Sequence, residues 1–158
     1  MIDSMEIYPS IRDRLNSQHL AIKELIKNLD EDVINKRHEP GKWSIQENLV
    51  HIVSYHQVLL TRLDKIIKTD NPYFARYTSE GDINFDKIKK VLSAELINHL
   101  EEERKKVTEV IFKLNESELQ KVGLHQKFGV MNVVEWIEFF LLHEAHHIYT
   151  IFKLSKMN

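Results

Sequence analysis

The sequence predicts an all-α protein: four long helices packed as a bundle, in one domain spanning residues 1–158. Three observations carry this. A chain of 158 residues suits a single hydrophobic core. Only four glycines and three prolines interrupt it, which leaves room for long regular elements. Apolar residues recur at three- and four-residue intervals in four segments. Two of those segments open on a serine or asparagine followed three residues later by glutamate, the pattern of a reciprocal helix cap.

Composition narrows the function. The 22 basic and 24 acidic side chains are well mixed, for a formal charge of -2. No basic stripe appears, which argues against nucleic acid as a partner. With no cysteine, disulfides, zinc ribbons and a thiol nucleophile from the chain itself are excluded. Met1-Ile2-Asp3-Ser4-Met5-Glu6 is acidic and lacks the positive start and apolar run of a signal peptide. The longest apolar stretch is broken by glutamates and histidines, short of the roughly 18–20 residues a membrane span needs. A cytoplasmic protein without a membrane segment is expected.

The first helix is expected from Pro9 to Leu29. Proline suits a first turn, where its missing N–H costs nothing, and Ile11, Leu15, Ile22, Leu25, Ile26 and Leu29 recur at helical spacing. His19 reads as a surface or boundary residue. Asp30 to Lys42 is a connection ending at the breaker Pro40-Gly41. Ser44 with Glu47 then caps a second helix running to about Lys68, with Trp43 placed to pack on its first turn. Its apolar arc is Ile45, Leu49, Ile52, Val53, Leu59, Leu60, Leu63 and Ile67. At about 100° per residue, His56 falls near the middle of the arc and His51 at its edge. Tyr55, one turn beyond His51, can cover that ring.

Thr69 to Phe85 is long for a bundle connection and carries Tyr73, Phe74 and Tyr77. Such a loop is a crossover or a lid, and argues against an up-down-up-down bundle with tight turns. The third helix begins at Asn84 or Phe85 and runs through Leu92, Leu100, Val107 and Ile111 to Leu114. Within it, Glu101-Glu102-Glu103-Arg104-Lys105-Lys106 fits ion pairing on a wet face. His99 adjoins it and reads as exposed. Glu116 to Met131 is a second long connection, with His125 in it. Asn132 with Glu135 caps the fourth helix, which runs to about Lys156. That helix is apolar on nearly every side. Bundle packing accounts for one face, and a homodimer interface for the other.

His143-Glu144-Ala145-His146-His147 lies in the fourth helix between two apolar blocks. Residues four apart sit one turn above each other, about 40° apart in azimuth, so His143 and His147 present two imidazoles side by side. A buried imidazole needs a partner. One partner is a metal ion shared by both; the other is a set of carbonyls or carboxylates in an ordinary core. The order of residues is not that of the HExxH metalloprotease motif. A third ligand has to come from another helix, and His51 and His56 are the candidates, with periodicity favouring His56.

Trp43-Ser44, Glu47 and His51-Ile52, followed near the C-terminus by His143 and His146-His147, resemble the DinB/YfiT-like superfamily across nearly the whole chain. The resemblance implies a four-helix bundle connected up-down-down-up. It also implies a divalent metal, with zinc or nickel the foremost candidates, held by one histidine of the second helix and two of the fourth: His51, His143 and His147. Where many members follow the paired histidines with Gly-Gln, this chain has Tyr149-Thr150. In the thiol-transferase branch a histidine stands five residues after the helix-two ligand, and His56 matches it, as a group that supports the site or faces substrate. Glu47 and Glu144 are candidates to orient a ligand histidine. His146, turned about 80° from the pair, is a neighbour of the site.

A three-histidine site leaves open positions for water and substrate. Relatives of this kind transfer low-molecular-weight thiols such as bacillithiol, or isomerise with mycothiol. The implied function is transfer of such a thiol to a small electrophile. The alternatives are a metal-binding stress-response bundle without catalysis, and a plain helical dimer with core histidines.

Overall fold

A computed structural model describes residues 6–157; the N-terminal residues 1–5 of the leader-free reading, and Asn158, lie outside it. The elements in order are α1 (Pro9–Ser17), α2 (Leu20–Ile26), α3 (Glu31–Asn35), α4 (Ile45–Lys68), β1 (Tyr73–Phe74), α5 (Ile83–Ile88), α6 (Ser93–Ile111), α7 (Glu116–Leu119), β2 (Val122–His125), β3 (Gly129–Asn132) and α8 (Val133–Ser155). The four bundle members are α1 with α2, then α4, α6 and α8. No helix among the described residues is long and apolar enough to cross a membrane.

Cross-helix contacts give the directions. On α4 and α8, Asn48 meets His147 and His51 meets His143, so the two run antiparallel. Gln46 reaches the Val91 carbonyl while His56 meets Arg104, so α4 and α6 run parallel. Arg14 pairs with Glu138 and Gln18 bonds Glu144, so α1 and α8 run parallel. The bundle is therefore up-down-down-up, and the long Thr69–Phe85 segment is the crossover that two consecutive parallel helices require.

Three elements differ from the sequence expectation. The first helix breaks at Gln18-His19 and ends at Ile26. There Ala21 N–H bonds the Gln18 carbonyl and Ile22 N–H the His19 carbonyl, a local 3₁₀ tightening. The Gln18 amide donates to the Leu141 carbonyl and Glu144 Oε1, which ties the break to α8. The third helix is split into α5 and α6. Asp82 caps α5 through Asn84 N–H, Leu92 turns extended, and Ser93 N–H starts α6 by donating to Glu31 Oε1 at 3.0 Å. That cap comes from α3, far away in sequence. Lastly, the two long connections hold a small sheet of order β1-β2-β3, parallel then antiparallel. Gly123 is needed where this sheet crosses α4, because a Cβ there would lie 2.9 Å from Ile66 Cγ1. His125 is buried in β2, not free in a loop, and its Nδ1 accepts from the Lys127 and Phe128 N–H groups.

The core has two apolar clusters. One includes Leu15, Tyr55, Leu63, Val107, Trp136 and Phe140. The other includes Ile22, Ile52, Leu96, Leu100 and Ile151. Between these levels each bundle helix contributes polar residues: Gln18 and His19, His56, Arg104 and Glu144. Arg104 belongs to the run expected on the wet face, yet it is 2% exposed. His19, expected at the surface or its boundary, is also buried, and its Nδ1 has no partner. Arg104 lies in phase with Ile97, Leu100, Val107 and Ile111, so its helical position points inward whatever its charge.

Candidate metal centre

The site is built from the two capped helix starts. Ser44 Oγ accepts from Glu47 N–H, and the Glu47 carboxylate accepts from Ser44 N–H at 2.9 Å. Asn48, in the same turn, donates its amide N–H to the Ser44 carbonyl at 2.8 Å. That fixes the amide, so its oxygen faces away and accepts from His147 Nδ1 at 2.9 Å. The cap thus starts α4 and orients a histidine on α8. Asn132 and Glu135 form the matching reciprocal cap of α8.

His51, His143 and His147 converge where α4 and α8 cross. One ring nitrogen from each lies within 4.8 Å of the other two. His51 Nε2 and His143 Nε2 are 3.0 Å apart. His51 Nδ1 meets Ser79 Oγ at 2.6 Å, which leaves its Nε2 directed at the centre. With Nδ1–H given to Asn48, His147 keeps its lone pair on Nε2. The donor set fits a divalent ion with Zn–N bonds of about 2.0–2.1 Å, and none of the three rings needs to be turned away from a core partner.

Burial keeps these rings neutral. It lowers His51 to a pKa of about 4. His143 falls to about 3 and His147 to about 2, burial first and the neighbouring histidines next. A metal ligand must offer a lone pair, and here all three do at neutral pH.

Aromatic rings close the site. Trp43, expected only to pack on the first turn of α4, lies 5.0 Å from His51 and 6.0 Å from His147, centroid to centroid. Tyr55 covers His143, at 4.2 Å, more closely than His51, at 6.0 Å. Tyr77 stacks on His51 at 5.7 Å and donates its hydroxyl to Asp82 Oδ2. Through Tyr77 and Ser79 the crossover segment lies against one side of the centre.

The other sequence candidates are placed elsewhere. His56 is inward, as its periodicity required, but it is fully buried and faces neither ion site nor solvent. Its Nδ1 donates to the Ile52 carbonyl and its Nε2 accepts from Arg104 Nε at 3.1 Å. Glu144 does not orient His143; it is turned inward to Arg104 Nη2 and Gln18. Glu47 does not reach His51; its oxygens take the Ser44 N–H and the Arg37 guanidinium. His146 is exposed, with its ring 5.2 Å from that of His147. Asn48 and Ser79 were not anticipated. Asn48 carries a readable signal, one turn after a cap and three residues before His51. Ser79 carries none, since only the course of the crossover brings it there.

A cleft of about 630 Å³ opens beside His147 and Asn48, between the C-terminal half of α8 and the segment preceding α4.

The DinB superfamily profile matches residues 15–151. A candidate metal-dependent hydrolase of Bacillus cereus (strain 03BB102) is 23% identical over 135 residues, which is 85% of this chain and 78% of the relative. A protein of the same description from Bacillus thuringiensis subsp. konkukian matches to the same extent. YfiT from Bacillus subtilis, described as a candidate metal-dependent hydrolase with an unusual four-helix bundle topology, superposes with a TM-score of 0.81 at 15% identity, over 93% of this chain and 85% of its own. An uncharacterised protein from Clostridium difficile 630 gives a TM-score of 0.72 at 18% identity, over 96% and 99%. At these identities the structures establish a shared fold. With the profile spanning most of the sequence, this chain belongs to the DinB superfamily.

Proposed function

We propose that His51, His143 and His147 hold a divalent transition metal, zinc or nickel foremost, and that the protein uses it to transfer a low-molecular-weight thiol to a small electrophile. The observation that carries the metal reading is the convergence of three neutral imidazole nitrogens, two of them with their second nitrogen engaged by Ser79 and Asn48. An ion held by neutral ligands keeps its full charge and lowers the pKa of a bound water or thiol. The chain's own part is orientation and exclusion of water. Ser79 and Asn48 fix the rings, and Trp43, Tyr55 and Tyr77 cover them. In the transfer, the thiol sulfur bonds the electrophilic carbon, the leaving group departs with its electron pair, and the thiol proton passes to water. With no cysteine in the chain, the sulfur comes from the substrate.

The thiol choice is supported by the superfamily likeness, not by His56, which is buried away from the centre. A second reading, hydrolysis by activated water, is supported by the description of the Bacillus relatives as candidate metal-dependent hydrolases. Zinc- and nickel-loaded protein incubated with bacillithiol and a panel of small electrophiles separates them by mass spectrometry. Thioether product dependent on metal and on His143 supports transfer. Hydrolysed electrophile without thiol incorporation supports the second reading, and neither product leaves a metal-binding bundle without catalysis.

A further inference from the structure

The cleft beside His147 has an uneven charge lining. One wall is the α8 stripe His146, Thr150 and Lys153, at i, i+4 and i+7 on one helical face. The other is the segment before α4, with His38, Glu39, Gly41 and Lys42. The turn that projects Lys42 passes through Gly41 at φ +73, a conformation that suits glycine. Lys42 and Lys153 thus face the cleft from opposite walls. Among the described residues neither is held in an ion pair, and the Lys153 ammonium lies over the Tyr149 ring, 4.9 Å from its centroid. Glu39 is the one carboxylate in the lining, set against the two lysines. The cleft ends on Asn48, His147 and Trp43, which also frame the metal centre.

We infer that this cleft binds a carboxylate of the small substrate, with Lys42 and Lys153 closing on it from the two walls while the rest of the molecule reaches toward His147. The statement deepens the thiol reading and rests on it for the substrate's other end. A fixed cationic pair draws an anion into a concave site and orients it, and because the lysines are solvated the gain is modest and screened by salt. A neutral thiol of the same size lacks this hold. Thr150 lies on the same wall but adds nothing to this hold, because its hydroxyl donates to the His146 carbonyl at 3.1 Å and leaves only acceptor lone pairs, which a carboxylate cannot use.

The test uses two thiols that differ in one group, 3-mercaptopropionate and 2-mercaptoethanol. Each is titrated into ¹⁵N-labelled, zinc-loaded protein, with the amides of Gly41, Lys42, Thr150 and Lys153 followed by NMR. In parallel, thiolate-to-metal absorption is recorded on the cobalt-loaded protein. The expected result is that 3-mercaptopropionate shifts the cleft amides and binds on the order of tenfold more tightly at low salt. In Lys42→Ala/Lys153→Ala that preference falls to near unity. Equal affinity for the two thiols in the wild type, or an undiminished preference in the double variant, overturns the inference. Cleft shifts without thiolate absorption would keep the carboxylate site and remove the thiol reading. Thiolate absorption without cleft shifts would do the opposite.

Discussion

Asn48 decides which nitrogen of His147 is free. Its N–H goes to the Ser44 carbonyl, so its oxygen receives the His147 Nδ1–H and the lone pair stays on Nε2. Ser79, on the crossover, hydrogen-bonds His51 Nδ1 at 2.6 Å and so anchors that ring with its Nε2 toward the centre. Partners of this kind change metal affinity by about 10–100-fold. Asn48→Ala and Ser79→Ala are each expected to weaken zinc by about that factor while stoichiometry stays unchanged, as read by competition with a chromophoric chelator. Acid stability follows from the same burial. The folded-state pKa is lowered for His51 to about 4, and for His19, mainly through burial, to about 4, with His56 also held well below its ordinary value. Above the ordinary histidine pKa these rings are neutral in both states. As pH falls through about 6.5 toward 4, the unfolded chain takes up protons that the folded chain refuses, so stability is lost in that window. Metal-stripped protein is expected to unfold at lower urea near pH 5.5 than near pH 7.5; equal midpoints would contradict it.

At the scale of elements, α6 is held to its neighbours by one buried guanidinium. Arg104 donates to Glu144 on α8, to His56 on α4 and to the Leu15 carbonyl on α1. Removing one member leaves an uncompensated buried charge, which costs about 3–5 kcal/mol, whereas replacing the pair by apolar residues of similar size is often neutral. Arg104→Ala should therefore destabilise by about that amount, and Arg104→Met/Glu144→Leu should recover most of it in urea denaturation. The capped starts of α4 and α8 were legible because a capping box is a local pattern; Ser44→Ala should cost about 1 kcal/mol. The break before Ser93 was not legible, since its cap is Glu31 from another helix. Nor was the hairpin, whose strands are four residues each and lean on α4 through Gly123. Arg104 was hidden by its charged neighbours, although the phase of Leu100 and Val107 marks its position as inward. His56 shows the limit of periodicity: inward is not the same as facing the metal, and the crossing of α4 with α8 favours the edge residue His51.

The whole molecule is an up-down-down-up bundle in which the crossover between two parallel helices also supplies a wall of the site. That topology explains why the connection is long and aromatic: Tyr77 and Ser79 are on it. The outer face of α8 leaves Leu142, Tyr149 and Phe152 exposed at heptad-like spacing. If a second copy covers this stripe, sedimentation will give twice the 18.8 kDa chain mass, and Leu142→Glu/Tyr149→Glu will return it to the monomer. The central claim is that three histidines from α4 and α8 hold one ion. Its most direct test is X-ray absorption at the metal edge, with metal content, on tag-free protein beside His143→Ala/His147→Ala. The account expects one divalent ion per chain, with imidazole scattering from three rings, lost in the variant. A metal-free wild type indistinguishable from the variant after exposure to zinc and nickel would contradict it.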